Sequence, residues 1–391
     1  MFRKTIFWIH LCCGIAAGIV VFTMSITGVL LTYERQINNW VAEKHYLEPD
    51  RQGNALPLEM LLVKARTDNP DFSPSTLVLT NHPGAPVSMR AGRRGGATLN
   101  PYTAQPMETE SPALSRFLSV VTGFHRWFNI QGENRALARQ ITGVSNLVFL
   151  FLVFSGLYLW LPAFMKWTFF KARLMFRDTY THSKSRDFHW HHIFGIWAAI
   201  PLIAVVYTGA VISYPWAANL MYRAFGAEIA AQQGAGPGGR AVDARQQLSR
   251  KDTVGSGIQQ WQADPLPLQS LVESALAHSG EGWNRLNISL PEAEANELRI
   301  EIDKGNGAQA HKRHTLTLDR SSGEVLAVTG FADTPRTQQL RGIARFLHTG
   351  EVLGFWGQTI AGLASLAALF LVWTGLALSW RRLIQPLFRA G

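Results

Sequence analysis

Four long apolar runs constrain this 391-residue chain more than any other feature. A helix needs about 20 mostly apolar residues to cross a membrane. The runs cover residues 6–33, 140–161, 188–214 and 358–380. Only 16% of all residues are charged, against about 25% in soluble globular proteins. Four runs of this length with so little charge are unlike the buried helices of a soluble core. We therefore predict a helical membrane protein.

The runs divide the chain into helices and connecting segments. The predicted transmembrane helices are 1–33, 140–162, 188–214 and 358–380. The connecting segments are a loop at 163–187, a tail at 381–391, and two long segments at 34–139 and 215–357. Residues 230–260 are rich in Ala, Gly and Gln, and GAGPGG within them lacks the strand and helix of a dinucleotide site. We expect this stretch to be a linker.

The distribution of basic residues predicts the orientation, because short loops rich in Lys and Arg stay in the cytoplasm. Basic residues occur at the N-terminus, in 163–187 and in the tail: Arg3, Lys4, Lys166, Lys171, Arg173, Arg177, Lys184, Arg186, Arg381, Arg382 and Arg389. The two long segments then face outward. The first run is too long for a cleaved signal peptide, so we expect a retained anchor. The net charge is +10, and the clearest clusters of basic residues lie beside apolar runs. This placement favours membrane lipid over nucleic acid as a partner.

The chain contains an internal repeat. A shift of 181 residues places His10 on His191 and Tyr33 on Tyr214, and a shift of 219 places Gly156 on Gly375. In the long segments, LPLEMLLVKA (56–65) resembles LPLQSLVESA (266–275). We expect a pseudo-two-fold axis along the membrane normal. Each long segment should form a small module, a short amphipathic helix followed by strands. The strand candidates are 77–79, 87–89, 286–290, 297–302 and 315–318.

Four histidines, His10, His189, His191 and His192, lie inside apolar runs, where ionisable residues are costly and usually functional. His10 and His191 are at the same depth of repeated runs, and Gly14 and Gly195 follow four residues later. A small residue one turn away on the same helix face leaves room for a flat ring. We call His10 and His191 the inner pair and expect them to share a ligand. His189 and His192, which flank His191, are the alternatives if the helical register differs; His189 is the weaker of the two because the repeat places it on Trp8.

A second pair, His125 and His348, precedes the two inward-going runs, in FHRWF and FLHTGEVLG. We call it the outer pair. Its two members differ by four residues in their distance to the following run. Both lie among aromatic residues, so an interfacial aromatic belt is the alternative interpretation.

Two imidazoles facing each other across a helix bundle suit a b-type haem, held by axial bonds and packing. Zinc usually needs four ligands, often Cys or carboxylates. The only cysteines, Cys12 and Cys13, are adjacent, and no CxxCH motif for covalent haem is present. We therefore predict two b haems per chain, with iron ligated by His10, His191, His125 and His348.

Cationic side chains near the outer pair are candidates to bind haem propionates. They are Arg126, Arg139, Arg341 and Arg345, and solvation at the interface is the alternative role. The remaining histidines in polar loops are expected to be ordinary surface residues: His45, His82, His182, His278, His311 and His314. Of these, His311 and His314, in HKRH, could contact an anionic ligand.

These motifs together resemble the PepSY-associated transmembrane family of bacterial iron-regulated inner-membrane proteins. The residues that carry the resemblance are WIHLCCGI and WHHIFGIW, TGVLLTY and TGAVISY, FHRWF and FLHTGEVLG, and SGLYLW and TGLALSW. Within the family the chain is similar to FoxB-type siderophore reductases. The resemblance implies a four-helix bacterial inner-membrane core, two periplasmic α+β PepSY-like modules, histidine-bound b haems and reduction of Fe(III)-siderophores.

The function that follows is an oxidoreductase that carries electrons across the membrane to a ferric siderophore and releases Fe(II). The electron donor would be a quinol or a cytoplasmic flavoprotein. Two alternatives remain open. One is a cytochrome b subunit that passes electrons to another protein, and the other is a haem-free PepSY regulatory or binding protein.

Overall fold

The computed structural model describes residues 1–48, 54–92, 95–161, 167, 173–227, 266–290 and 295–388. The predicted linker at 230–260 and the basic residues Lys166, Lys171 and Arg389 lie outside these ranges. The described chain forms two compact units. The helical unit comprises Met1–Arg35, Pro112–Gly226 and Arg341–Gly391, and the sheet unit comprises Gln36–Ser111 and Ala227–Leu340.

Four long helices form the helical unit. They are α1 (Phe2–Leu31), α5 (Arg135–Trp160), α6 (Ser183–Ser213) and α10 (Gly354–Leu383). Each is long and apolar enough to cross a membrane, as the sequence predicts. Shorter helices accompany them: α2 (Glu34–Glu43), α4 (Pro112–Trp127), α7 (Pro215–Ala224) and α9 (Arg336–His348). Of these, α2 and α9 extend across the boundary between the two units.

The four long helices are arranged in a ring. Helix α1 packs on α5 and α10, and α6 also packs on α5 and α10. Helices α1 and α6, which carry the inner pair, therefore occupy opposite corners of the bundle. The centre is filled by small and branched apolar side chains: Val153, Ala198, Leu202, Ala364 and Ala368.

Polar contacts fix the two ends of this bundle. At the end that holds the N-terminus, the buried carboxylate of Asp187 accepts from Arg381 at 2.6 Å and pairs with Arg186 at 3.0 Å. At the other end, Arg35 Nε lies 2.7 Å from the carboxylate of Glu351. Removing one partner of an ion pair that contains a largely buried carboxylate is costly, because the remaining charge stays buried without a partner.

The sheet unit is built from both long segments. Its seven antiparallel strands follow the order β3-β2-β1-β4-β5-β6-β7. The first segment supplies β1 (Thr76–Thr80), β2 (Val87–Ala91) and β3 (Gly95–Leu99). The second supplies β4 (Arg285–Ser289), β5 (Glu297–Asp303), β6 (Arg313–Asp319) and β7 (Val325–Gly330). The segments join where β1 pairs with β4, from Thr76 opposite Ser289 to Thr80 opposite Arg285.

Alternating apolar residues bury one side of this sheet, as expected for strands whose neighbouring side chains point to opposite faces. Leu286 and Ile288 of β4 are fully buried, as are the corresponding residues of β5. They share a core with α3 (Leu58–Asp68) and α8 (Leu268–Ser279). These are the two helices predicted from the repeated LPL motifs. Four of the five strand candidates lie wholly within strands, and the fifth, 286–290, extends one residue beyond β4.

The division into modules differs from the sequence expectation. Segments 34–139 and 215–357 were expected to form one module each. Instead, their strands form one continuous sheet, and parts of both segments, 112–139 and 341–357, belong to the helical unit. The strands of both segments are joined by the pairing of β1 with β4 and share one apolar core.

Candidate functional site: two histidine pairs in the helical bundle

The inner pair meets across the centre of the bundle. His10 of α1 and His191 of α6 have ring centroids 6.5 Å apart, with ring planes at 88°. His10 Nδ1 lies 2.8 Å from Ser155 Oγ, and His191 Nδ1 lies 3.0 Å from Thr374 Oγ1. Ser155 and Thr374 occupy α5 and α10, and the 219-residue shift relates them. Each ring of the inner pair is therefore held by a hydroxyl from a neighbouring helix.

The outer pair is carried by the short helices that precede α5 and α10. His125 lies in the last turn of α4 and His348 is the last residue of α9, and their ring centroids are 6.2 Å apart with planes at 57°. The longer connection from His125 to its following span includes Phe128 and Asn129 in left-handed backbone conformations. The four-residue difference seen in the sequence is therefore taken up in the connections between helices.

Each ring of the outer pair has two partners. His125 Nδ1 lies 3.0 Å from both the Met24 carbonyl oxygen and Thr27 Oγ1. His348 Nδ1 lies 2.8 Å from the Val205 carbonyl oxygen and 3.4 Å from Thr208 Oγ1. The 181-residue shift relates Met24 to Val205 and Thr27 to Thr208. The two rings are thus held by equivalent atoms of α1 and α6.

These contacts determine the tautomer of all four imidazoles. A backbone carbonyl only accepts, so it requires a proton on Nδ1 of His125 and His348. The inner-pair hydroxyls are acceptors too, because Ser155 and Thr374 donate their own protons to the carbonyls of Phe151 and Phe370, at 2.7 and 2.6 Å. With Nδ1 protonated, Nε2 of a neutral ring has a free lone pair. Within the described residues, none of the four rings has a hydrogen bond at Nε2.

The outer pair is also held neutral by its surroundings. It lies outside the four spans, and burial, reinforced by the nearby charge of His348, lowers the pKa of His125 to about 4. Burial also lowers the pKa of His348. Both rings are therefore uncharged near neutral pH, which is the form that binds a metal ion.

Glycines on neighbouring helices create the space for all four rings. A Cβ at Gly156 or Gly375 would lie 3.4 Å from Cε1 of His10 or His191. A Cβ at Gly28 would lie 3.7 Å from Cε1 of His125, and one at Gly209 would lie 3.2 Å from Cε1 of His348. The missing side chains therefore let each ring pack closely against a helix backbone.

The glycines singled out in the sequence have a different environment. A Cβ at Gly14 would have no heavy atom within 4 Å, and one at Gly195 would meet only Leu371, at 3.7 Å. They therefore do not position the imidazoles themselves. The helix surface one turn beyond each inner histidine is nevertheless open, so a flat ligand at this position remains a prediction.

The two pairs lie at different depths along the bundle. His10 and Met24 are fourteen residues apart on α1, and His191 and Val205 have the same separation on α6, which corresponds to about 21 Å at 1.5 Å per residue. This is shorter than the roughly 30 Å of a hydrocarbon core. The apolar centre of the bundle, including Ala198 and Leu202, lies between them.

Arginines gather beside the outer pair. Burial and the neighbouring charges of Arg139, Arg135 and Arg345 lower the pKa of Arg126. Arg341 lies near Tyr222. Burial raises the pKa of Tyr222, and the Arg341 guanidinium partly offsets this rise. In the described part of the chain, none of these five arginines forms an ion pair. Arg135, which stacks 4.0 Å from the Trp127 ring centroid, was missed by the sequence reasoning.

The histidines next to the inner pair have other partners. His189 is buried and its Nδ1 lies 2.8 Å from Tyr180 Oη, while His192 Nδ1 bonds the Phe188 carbonyl at 2.8 Å. His191, rather than the alternative His189, therefore faces His10. The other histidines are exposed except for His314, which is half-buried.

The family model described as "PepSY-associated TM region" matches residues 7–382. The chain belongs to the PepSY-associated TM family. The match covers nearly the whole chain, including both histidine pairs, and confirms the resemblance drawn from the sequence motifs. No curated protein matches the chain.

Several residues of this PepSY-associated TM protein that hydrogen-bond to the four histidine rings were not selected from the sequence. They are Met24, Thr27, Ser155, Val205, Thr208 and Thr374. Their signal was present, because Thr-Gly or Ser-Gly recurs at both shifts: Thr27-Gly28, Thr208-Gly209, Ser155-Gly156 and Thr374-Gly375. In each dipeptide the hydroxyl holds Nδ1 of a histidine whose ring packs on the following glycine.

Proposed function

We propose that this protein is a b-type dihaem oxidoreductase of the bacterial inner membrane that reduces Fe(III)-siderophores in the periplasm. The observation that carries the proposal is the pair of facing imidazoles, repeated at two depths, with every Nε2 free. The four spans and the family membership support a membrane location. The basic residues at the N-terminus, in the loop before α6 and in the tail support cytoplasmic termini.

The spacing of the rings fits axial ligation. Two metal–imidazole bonds of about 2 Å each and two ring radii of about 1 Å each place the centroids about 6 Å apart. The distances of 6.5 and 6.2 Å agree with this value. No group of three or more His, Cys, Asp or Glu side chains suited to a metal ion occurs among the described residues. Two facing imidazoles without a third donor in the described residues would suit haem iron better than zinc, which usually takes four ligands.

Bound at both pairs, haem would supply reversible one-electron chemistry at each end of the bundle. The protein supports this chemistry by fixing the imidazoles. The hydroxyls of Ser155 and Thr374 and the carbonyls of Met24 and Val205 set ring orientation and tautomer, which also raises ligand basicity. The apolar residues between the pairs exclude water from the centre of the bundle. The arginines near His125 would neutralise propionates.

The electron balance defines the reaction. One electron reduces Fe(III) in the chelate to Fe(II), which the hard oxygen ligands of a siderophore hold more weakly. A quinol donor loses two electrons and two protons and therefore serves two chelates. A cytoplasmic flavoprotein is the other donor class. The inner pair, at the end that carries the N-terminus, is the proposed entry point, and the outer pair is the proposed exit.

The test is purification in detergent followed by spectroscopy and a reduction assay with a ferrous-ion chelator as indicator. We expect two b haems per chain, reoxidised when a ferric siderophore is added to the reduced protein. A protein with two haems that are not reoxidised by any ferric siderophore would favour the cytochrome b subunit. A colourless, haem-free protein would contradict the proposal and favour the regulatory or binding role.

A further inference from the structure

A groove of about 560 Å³ opens at one end of the sheet unit. It is lined by Lys304 after β5, residues 311–314 at the start of β6, and residues 330–332 after β7. These strand ends meet at one edge because β5, β6 and β7 are antiparallel neighbours. The volume lies within the range of roughly 300–1,000 Å³ that is typical of small-molecule sites.

The lining is cationic. Lys304, Lys312 and Arg313 contribute positive charge, the imidazoles of His311 and His314 also line the groove, and none of its lining residues in the described part of the chain is a carboxylate. Lys304 donates to the Ser279 carbonyl at 2.8 Å, and His314 Nε2 lies 2.8 Å from Ser279 Oγ. Neither lysine forms an ion pair within the described residues.

The nearest carboxylates pair with Arg313 and not with the two lysines. Arg313 Nη1 is 3.6 Å from Glu301 and its Nε is 4.0 Å from Asp303, so the charge of this guanidinium is largely balanced. Asp303 also accepts from the Gly305 amide at 2.6 Å, and Asp333 accepts from the Gly330 amide at 2.7 Å. The positive charge available to an anion in the groove is therefore that of Lys304 and Lys312.

The groove also has an apolar wall, formed by Phe331 and Ala332. Lysines beside an aromatic ring match a ligand that combines negative oxygens with flat carbon rings. A cationic chelate would be repelled by Lys304 and Lys312. The charge of the groove therefore favours anionic over cationic iron chelates.

We propose that this groove binds a negatively charged iron chelate of the catecholate class, so that anionic rather than cationic chelates are the preferred substrates. This inference rests on the proposed function, because it assigns the substrate class of that reaction. Catecholate oxygens would lie against Lys304 and Lys312, and the aromatic rings against Phe331.

The test measures binding with gallium(III) complexes, which have the charge and geometry of the Fe(III) complexes but accept no electron. The full-length protein in detergent is titrated with an anionic hexadentate tris-catecholate and with a cationic trihydroxamate that carries a free amine. We expect the anionic complex to bind at least about tenfold more tightly, and this preference to shrink as salt is raised.

Variants locate the site. Lys312→Gln and Lys304→Gln should each weaken binding of the anionic complex by about five- to tenfold. Lys312 is exposed, so its replacement should leave the fold intact. The matched control is Lys64→Gln, since Lys64 is an exposed lysine of α3 that pairs with Asp68 outside the groove. The control should bind like the unmodified protein.

Three results would overturn the proposal: equal affinity for the two gallium complexes, unchanged affinity in both groove variants, or equally tight binding of the metal-free catecholate. These outcomes are separable from failure of the proposed function. A protein without haem that still binds the anionic complex through Lys312 would retain the groove and lose the reductase. A dihaem protein that reduces anionic and cationic ferric chelates equally fast would retain the reductase and lose the substrate preference assigned to the groove.

Discussion

The inner and outer histidine pairs have the same spacing but different supports. The inner rings sit on membrane-spanning helices. His10 bonds to the Ser155 hydroxyl, and His191 bonds to the Thr374 hydroxyl and to the backbone of Leu371. The outer rings sit on short helices and also bond to backbone carbonyls, those of Met24 and Val205. A side chain can be removed by mutation and a carbonyl cannot. The comparison indicates that the His10 ring depends on one removable side chain, whereas each outer ring keeps a backbone acceptor.

Removal of a ligand should have the largest effect and show that the pairs are independent. His10→Ala or His191→Ala should halve the haem content by eliminating the inner haem. His125→Ala or His348→Ala should eliminate the outer haem. All four should abolish siderophore reduction, because each breaks the electron path. The measurement is haem per chain from a reduced-minus-oxidised spectrum.

The control for ligand removal is His192→Ala, since His192 bonds to its own helix at Phe188. It should keep both haems. Two retained haems in both His10→Ala and His191→Ala would refute the inner pair, whatever the outer pair does.

Filling the space beside a ring should have the next largest effect. Gly156→Val or Gly375→Val would push a side chain against His10 or His191, where even a Cβ is 3.4 Å away. Overpacking of this kind costs about 1–3 kcal/mol, and we expect loss of most of the inner haem with the outer haem retained. Gly209→Val should cause loss of most of the outer haem with the inner haem retained, because a Cβ there lies 3.2 Å from His348 Cε1.

Gly342→Val is the matched control for these glycine variants, because a Cβ there meets nothing within 4 Å. Haem content is measured after purification and after a heat challenge. Equal haem loss in control and test variants would show that the glycines matter only for helix stability.

Removal of the hydroxyls that bond to the histidine rings should affect the inner and outer pairs differently. Ser155→Ala leaves His10 without its acceptor at Nδ1, so inner haem affinity should fall by about 10- to 100-fold. Thr374→Val leaves His191 with its bond to the Leu371 backbone and should have a smaller effect. Thr27→Val and Thr208→Val leave the carbonyls in place, so outer haem affinity should change less than about threefold. Haem transfer to an apo-globin acceptor measures both. Equal losses at the two pairs would contradict the distinction drawn here.

Removal of a cation should have the smallest effect and act on one pair. Arg126→Gln removes a charge beside the outer pair, and positive charge favours the reduced haem. The potential of the outer haem should therefore fall by on the order of tens of millivolts, while the inner haem is unchanged. Redox titration checks this. Arg382→Gln, near Phe7 and Trp8 at the opposite end, is the control and should leave the outer potential unchanged.

Much of this architecture could be predicted from the sequence. Length and low charge identified the four spans, and alternation identified strands such as β4 and β5. The histidines of each pair were matched because the repeat preserves their depth. These features depend on local composition or on spacing along the chain, which a single sequence displays.

Other features depend on tertiary packing and could not be predicted. Joining of β1 to β4 depends on pairing between segments some 200 residues apart, and each segment alone has a plausible module pattern. The acceptor for each Nδ1 depends on helix rotation and proximity, so Ser155 and Thr374 appeared only as parts of Gly-containing motifs. The contribution of Arg135 to the outer cluster follows from the fold of the α4–α5 connection.

The most direct test of the central claim is the haem content and axial ligation of the unmodified full-length protein. A pyridine haemochrome assay counts haem per chain, and electron paramagnetic resonance of the oxidised protein reports the ligands. The account predicts two non-covalent b haems, both low-spin with two histidine ligands. A protein expressed with adequate haem supply that contains none, or whose haem lacks bis-histidine ligation, would contradict it.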